Sequence, residues 1–200
     1  MSDALLPSTR INLEKAVVLV LDDNGPSLDI LSQVVSGFGV KQLHRADSVK
    51  DAQDLARTKT FDLIISDVQM PDVDGVEFIQ WLRRDALEAN RYIPVILVTG
   101  HTRKPDVLRI RDAGANFMVA KPITPKVLLE RIFWVAREER PFIECDAYVG
   151  PDRRFKHEGP PPGTDGRRRD DLPAEVGNAQ EPNMSQDEIN NLMKIAKVQL

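Results

Sequence analysis

Residues 16–23 read AVVLVLDD and residues 61–67 read FDLIISD. Each is a short, nearly unbroken apolar run that ends in acid. Alternation of apolar and polar residues would mark a strand with one wet face; runs like these imply strands buried on both faces, as in a parallel sheet covered by helices. Asp22, Asp23 and Asp67 then fall at the carboxyl ends of two strands, where open parallel sheets bind their ligands.

Working outward, similar runs recur at Ile93 to Val98 (IPVILV) and Asn116 to Ala120 (NFMVA), with a weaker one at Val40 to Leu43. Between them lie segments of helical period: Pro26 to Phe38, Ser48 to Arg57, Val76 to Leu87, Pro105 to Ala113 and Pro125 to Glu139. Prolines 26, 105 and 125 suit the first helical position, where a missing N–H costs nothing, and Thr124 precedes one of them as an N-cap. Five strand–helix repeats with right-handed crossovers predict an α/β fold, a doubly wound five-stranded parallel sheet.

The composition changes towards the end of the chain. Seven of the 14 prolines and five of the 11 glycines lie in the last 60 of its 200 residues, and the apolar runs thin out after Phe142. This predicts an N-terminal extension (1–13), a domain (14–140), a linker rich in Pro, Gly and Arg (141–183) and a C-terminal amphipathic helix (184–200). With 27 Lys and Arg against 31 Asp and Glu, the net charge of −4 makes no field that would draw nucleic acid or membrane non-specifically. Cys145 alone builds neither a disulfide framework nor a Cys-based metal site. The start, MSDALLPSTRINLEK, lacks a basic region followed by an apolar one, and no apolar run approaches bilayer length. A soluble, cytoplasmic protein is expected.

If the first and third strands are neighbours, three carboxylates crowd one sheet edge, and their repulsion calls for a cation. An open pocket of this kind suits Mg2+. Asp after a strand is often only a turn or cap residue, and it is the co-location of three that argues for a site. Two other strand ends supply the complement: Thr99 before Gly100, and Lys121 before Pro122. A hydroxyl and an ammonium beside the acids are what a phosphoryl group on one carboxylate would require, and Asp is an established nucleophile forming acyl phosphates.

Asp22-Asp23, then Asp67-Val-Gln-Met-Pro-Asp-Val-Asp-Gly75, then Thr99-Gly100 and Lys121-Pro122, in this order, resemble the receiver domain of two-component response regulators, the CheY-like family, over about residues 14–139. The resemblance implies strand order 2-1-3-4-5. It makes Asp67 the phosphoacceptor, with Asp23, Asp67 and the backbone carbonyl of Gln69 binding Mg2+ directly and Asp22 through water. Thr99 would engage the phosphoryl oxygen and Lys121 would pair with it, the Lys121–Pro122 bond being cis. A sensor histidine kinase or a phosphotransfer protein would donate the phosphoryl group.

Phosphorylating Asp67 adds charge and acceptor oxygens beside Thr99 and Lys121, and drawing Thr99 inward would reshape the face made by the last two of the five helical segments and the fifth strand. The expected output is altered binding, not turnover. One departure is Met118, where members of this family usually carry Tyr or Phe three residues before the lysine; a flexible Met can fill the space without a ring's two-state flip. Phe117 should point to the other side of the strand. Gln69 and His101 stand where the family tunes phosphoryl lifetime.

No stretch of the tail shows two helical periods joined by a short turn, which disfavours a DNA-binding output domain. Met184 to Lys197 instead starts like a helix: Ser185 with Glu188 forms a capping box, Met184 and Ile189 sit at staple positions, and Ile189, Leu192, Met193 and Ala196 share a face. MSQDEINNLM also resembles the N-terminal peptide of the flagellar motor switch protein that binds CheY. This helix could dock on the chain's own receiver face, on another copy or on a different chemotaxis receiver, or pack simply for stability. The function expected is thus a phosphoacceptor regulator in chemotaxis or motility, with flagellar motor or chemotaxis proteins as candidate partners. One alternative is a CheY-like effector holding cyclic di-GMP on Arg153, Arg154, Arg167, Arg168 and Asp170, since arginine forks with an Arg-x-x-Asp spacing suit guanine and phosphate together. Another is an aspartyl-phosphate phosphohydrolase, whose nucleophile normally ends the first strand with a second Asp two residues on, whereas Asp22 and Asp23 are adjacent.

Overall fold

The computed structural model describes residues 12–137, 140–145, 147–153 and 183–193, with backbone alone at 191 and 192. Its order is β1 (Val17–Leu21), α1 (Gly25–Gly37), β2 (Gln42–Ala46), α2 (Val49–Thr58), β3 (Leu63–Asp67), α3 (Gly75–Asp85), α4 (Glu88–Arg91), β4 (Val95–Thr99), α5 (Lys104–Asp112), β5 (Phe117–Ala120), α6 (Pro125–Ala136), β6 (Phe142–Cys145), β7 (Tyr148–Pro151) and α7 (Gln186–Met193). The first five strands form one parallel sheet in the order β2-β1-β3-β4-β5. This is the expected doubly wound, CheY-like architecture.

The sequence signals act as their chemistry requires. Val18 to Leu21, Leu63 to Ile65 and Val95 to Val98 are buried on both sheet faces, which is why their runs are continuous. Asn24, Ser48, Asp74 and Thr124 cap α1, α2, α3 and α6 with side-chain oxygens that accept first-turn N–H groups. Prolines occupy the first turn of α1, α5 and α6. The helix expected to run to Leu87 ends at Asp85, and the short α4 follows. Among the described residues no helix is long and apolar enough to cross a membrane.

The stretch from 141 to 183, expected as a linker rich in Pro, Gly and Arg, opens instead with an antiparallel hairpin, β6–β7. Its strands are four residues each, and β7 itself includes Gly150 and Pro151, so neither is long enough to give a period. What seats it is long-range. Arg83, 1% exposed, donates to the carbonyls of Gly114, Arg91 and Ile93 and to Asn116 Oδ1 at 2.8–3.1 Å, and its guanidinium lies over the Phe142 ring. Gly114 has φ +96, and a Cβ there would stand 2.5 Å from the Val149 carbonyl. The hairpin thus packs at the amino ends of β4 and β5, the pole opposite Asp67.

Candidate functional site

β1 and β3 are hydrogen-bonded neighbours, with Leu21 opposite Ser66, so the residues that follow them share one end of the sheet. Oxygen atoms of Asp22, Asp23 and Asp67 lie within 4.8 Å of one another. Asp22 and Asp67 are buried and Asp23 is exposed. Three carboxylates at such spacing, one open to solvent, are a donor set that fits a hard divalent cation. Gln69, two residues past Asp67, is exposed on the loop beyond β3.

β5 is not a neighbour of β3, since β4 lies between them. Lys121 nevertheless reaches across the strand ends, its Nζ 2.9 Å from Asp67 Oδ2 and 3.3 Å from Asp22 Oδ2. The Lys121–Pro122 peptide is cis, as expected. Burial pushes the Asp67 carboxyl above the ordinary aspartate range; Lys121 and the Val68 N–H pull it back, and the Asp22 charge adds to the rise. Burial alone would lower the Lys121 ammonium, but the bonds and charges of Asp67 and Asp22 outweigh it and hold it up.

Thr99 is fully buried. Its Oγ1 accepts from the His101 N–H at 3.0 Å and donates to the His101 carbonyl at 3.3 Å. With Val68, Gln69, Met70, His101 and Arg109 it lines a cavity of about 540 Å3 beside the acidic cluster, along which Arg109 pairs with Asp74 at 2.6 Å. Gly75 closes the loop: a Cβ there would stand 2.2 Å from the Asp67 carbonyl oxygen, and its N–H donates to Val68 O. Only glycine permits that approach.

Asp22, Asp23, Asp67, Thr99 and Lys121 therefore come together at one sheet end. Met118 is buried, and Phe117 packs edge-on against Trp134. Of the arginines expected to hold a nucleotide, Arg153 is committed elsewhere: it pairs with Asp112 at 2.6 Å and its guanidinium stacks 3.9 Å above the Tyr148 ring. Arg154, Arg167, Arg168 and Asp170 lie outside the described residues.

The C-terminal helix is seated on the chain's own β5. Ser185 and Glu188 form the expected capping box, with the Ser185 N–H donating to Glu188 Oε2 at 2.7 Å and the Glu188 N–H to Ser185 Oγ at 3.3 Å. Ile189 and Met193 are buried in the main core, with Met184 packed against it. The Leu192 side chain and Ala196, expected on the same face, lie outside the described residues. Sequence reasoning missed Gln186 and Thr102, which bind this segment to the domain; a polar residue that meets an edge strand leaves no periodic signal.

Comparison with known proteins agrees with this geometry. The model of the response regulator receiver domain matches residues 18–133. The polar-differentiation response regulator DivK of Brucella ovis is 36% identical over 115 residues, spanning 58% of this chain and 91% of that protein. The chemotaxis response regulator CheY4 of Vibrio cholerae superposes with TM-score 0.56 at 28% identity, over 60% of this chain and 98% of that one. The receiver domain of the Arabidopsis thaliana histidine kinase CKI1, solved complexed with Mg2+, gives TM-score 0.55 at 26% identity, over 60% and 93%. Fold, acidic cluster and sequence match point the same way: this chain belongs to the response regulator receiver domain family.

Proposed function

We propose that Asp67 accepts a phosphoryl group from a histidine kinase or a histidine phosphotransfer protein, and that the phosphorylated chain acts by changing what it binds. The observation that carries this reading is the bridge from Lys121 Nζ to both Asp67 and Asp22. It puts a fixed cation against a buried carboxylate, Asp67, whose charge burial disfavours, where new phosphoryl oxygens would need it.

In the transfer, an Asp67 carboxylate oxygen attacks phosphorus, the P–N bond to the donor imidazole breaks, and the imidazole leaves with that electron pair and takes up a proton. The product is an acyl phosphate. Lys121 pairs with the charge that develops on the transferred group, and the Thr99 hydroxyl, freed from His101, donates to one of its oxygens. Asp22, Asp23, Asp67 and the Gln69 carbonyl would hold Mg2+, which when bound supplies positive charge to offset that of the phosphoryl oxygens.

The setting we infer is chemotaxis or motility signalling. The likeness to CheY4 and the MSQDEINNLM pattern of α7 support it. The nucleotide reading loses its first ligand, because Arg153 is already paired and stacked. Treatment with acetyl phosphate and Mg2+ tests the proposal: wild type should gain the mass of one phosphoryl group and Asp67→Asn should gain none.

A further inference from the structure

β5 is one of the two edge strands of the five-stranded sheet, and edge strands leave N–H and C=O groups to be satisfied by something. Here a single side chain does so. The Gln186 Oε1 accepts from the Ala120 N–H at 2.7 Å, and its Nε2 donates to the Met118 carbonyl at 3.2 Å. In a parallel ladder, a residue placed opposite Val119 would accept from 120 and donate to 118. The Gln186 carboxamide therefore substitutes for one residue of a sixth strand. Asn190, 7% exposed, accepts from the same Nε2 at 3.0 Å and fixes the amide's orientation.

A second attachment lies next to the candidate phosphorylation site. The Met184 N–H donates to the Thr102 carbonyl at 2.7 Å, the Thr102 hydroxyl donates to the Met184 carbonyl at 2.7 Å, and the Thr102 N–H reaches Asn183 Oδ1 at 3.4 Å. Thr102 is three residues from Thr99, and the backbone between them is held by the Thr99–His101 bonds. A Thr99 hydroxyl that turns to a phosphoryl oxygen leaves the His101 N–H without its acceptor, so the turn that presents Thr102 to Met184 loses its tie.

The geometry points to β5, flanked by α5 and α6, as a helix-binding surface that the chain's own residues 183–193 occupy and that phosphorylation opens by loosening the Thr102 clasp. The partner it fits is an amphipathic helix with a carboxamide followed at the third and seventh positions by large apolar residues, the pattern of Gln186, Ile189 and Met193. Such a helix makes the edge-strand and core contacts without needing the clasp, so losing the clasp penalises the resident segment alone. A free peptide must compete with an intramolecular occupant, and anything that weakens that occupant raises the peptide's apparent affinity. The opening by phosphate rests on the reading of Asp67 above; the occupancy does not.

The test uses the full chain and a labelled synthetic peptide of residues 185–200, which lacks the clasp residues. Peptide affinity is read by fluorescence anisotropy, and amide exchange over residues 186–193 is followed in parallel. Without phosphodonor, Gln186→Ala and Thr102→Val should each bind the peptide about tenfold more tightly than wild type, about 1.4 kcal/mol, and exchange faster in α7. With acetyl phosphate and Mg2+, wild type should gain about tenfold while intact mass on the same sample shows one phosphoryl group. If neither variant binds more tightly, residues 183–193 are not a competitor for this surface and the proposal falls. Phosphate uptake with peptide affinity unchanged or lower overturns the opening but leaves the Asp67 reading intact. Absence of uptake overturns that reading and the opening with it, while the two variants still decide the occupancy.

Discussion

Lys121 Nζ lies 2.9 Å from Asp67 Oδ2 although their strands, β5 and β3, are separated by β4. The lysine spans a whole strand to sit between two buried carboxylates, and its contribution depends on both. Lys121→Met removes the only cation that pairs with Asp22 and Asp67 among the described residues. In chelator, thermal or urea unfolding should show a loss of about 1–2 kcal/mol. That is below the usual cost of stripping a buried charge of its partner, because Lys121 is itself part exposed.

Divalent cation should stabilise the folded chain. At ten times its dissociation constant, Mg2+ adds about 1.4 kcal/mol to a state that alone binds it. The Mg2+-dependent rise in melting temperature is expected in wild type, larger in Lys121→Met, where the carboxylates have lost their counter-charge, and absent in Asp23→Asn and Asp67→Asn. Differential scanning fluorimetry with and without chelator reads all four.

Arg83 is a charge buried for structure. Its five donor contacts end on three carbonyls and one side-chain amide oxygen, and burial brings its pKa down to about 9. Arg83→Met keeps much of the volume but takes this donor from the three carbonyls, while Asn116 Oδ1 keeps the Val95 N–H; each buried oxygen left unpaired costs about 1–3 kcal/mol. A total loss of about 3 kcal/mol is expected from denaturant unfolding, with backbone exchange in β6 and β7 raised first.

His44 gives a pH dependence. Burial, then the nearby Lys59 ammonium, lowers its pKa below the ordinary 6.5. The unfolded chain thus binds this proton more readily than the folded one. Stability from this group is fully present above pH 6.5, declines as pH falls below it, and is lost once the folded pKa is passed. His44→Gln should flatten that decline in unfolding curves measured from pH 7.5 to 5, and an unchanged slope would show that another group causes it.

Much of this architecture is legible along the chain. The strands β1, β3 and β4 announce themselves because both faces are buried, and Asn24, Ser48 and Thr124 stand one residue before the helices they cap. Asp22, Asp23, Asp67, Thr99 and Lys121 are readable because parallel strands deliver their carboxyl ends to one place, so five local signals add up to a site. Contacts that join distant segments leave no such trace. Asn90 is fully buried, accepting from the Phe61 N–H and donating to the Ala56 and Lys59 carbonyls, yet in sequence it is one polar residue in a polar stretch. Gln186, Thr102 and the Arg83-held hairpin are of the same kind: each replaces missing backbone partners across 31 to 82 residues. Only the folded chain shows which partners those are.

The most direct measurement locates the phosphoryl group chemically. Borohydride reduces an aspartyl acyl phosphate to homoserine, so wild-type protein treated with acetyl phosphate and Mg2+, reduced and digested, should carry homoserine at position 67 and unmodified aspartate at 22 and 23. Homoserine at 22 or 23, or phosphate incorporation that persists in Asp67→Asn, would contradict the assignment of Asp67 as acceptor.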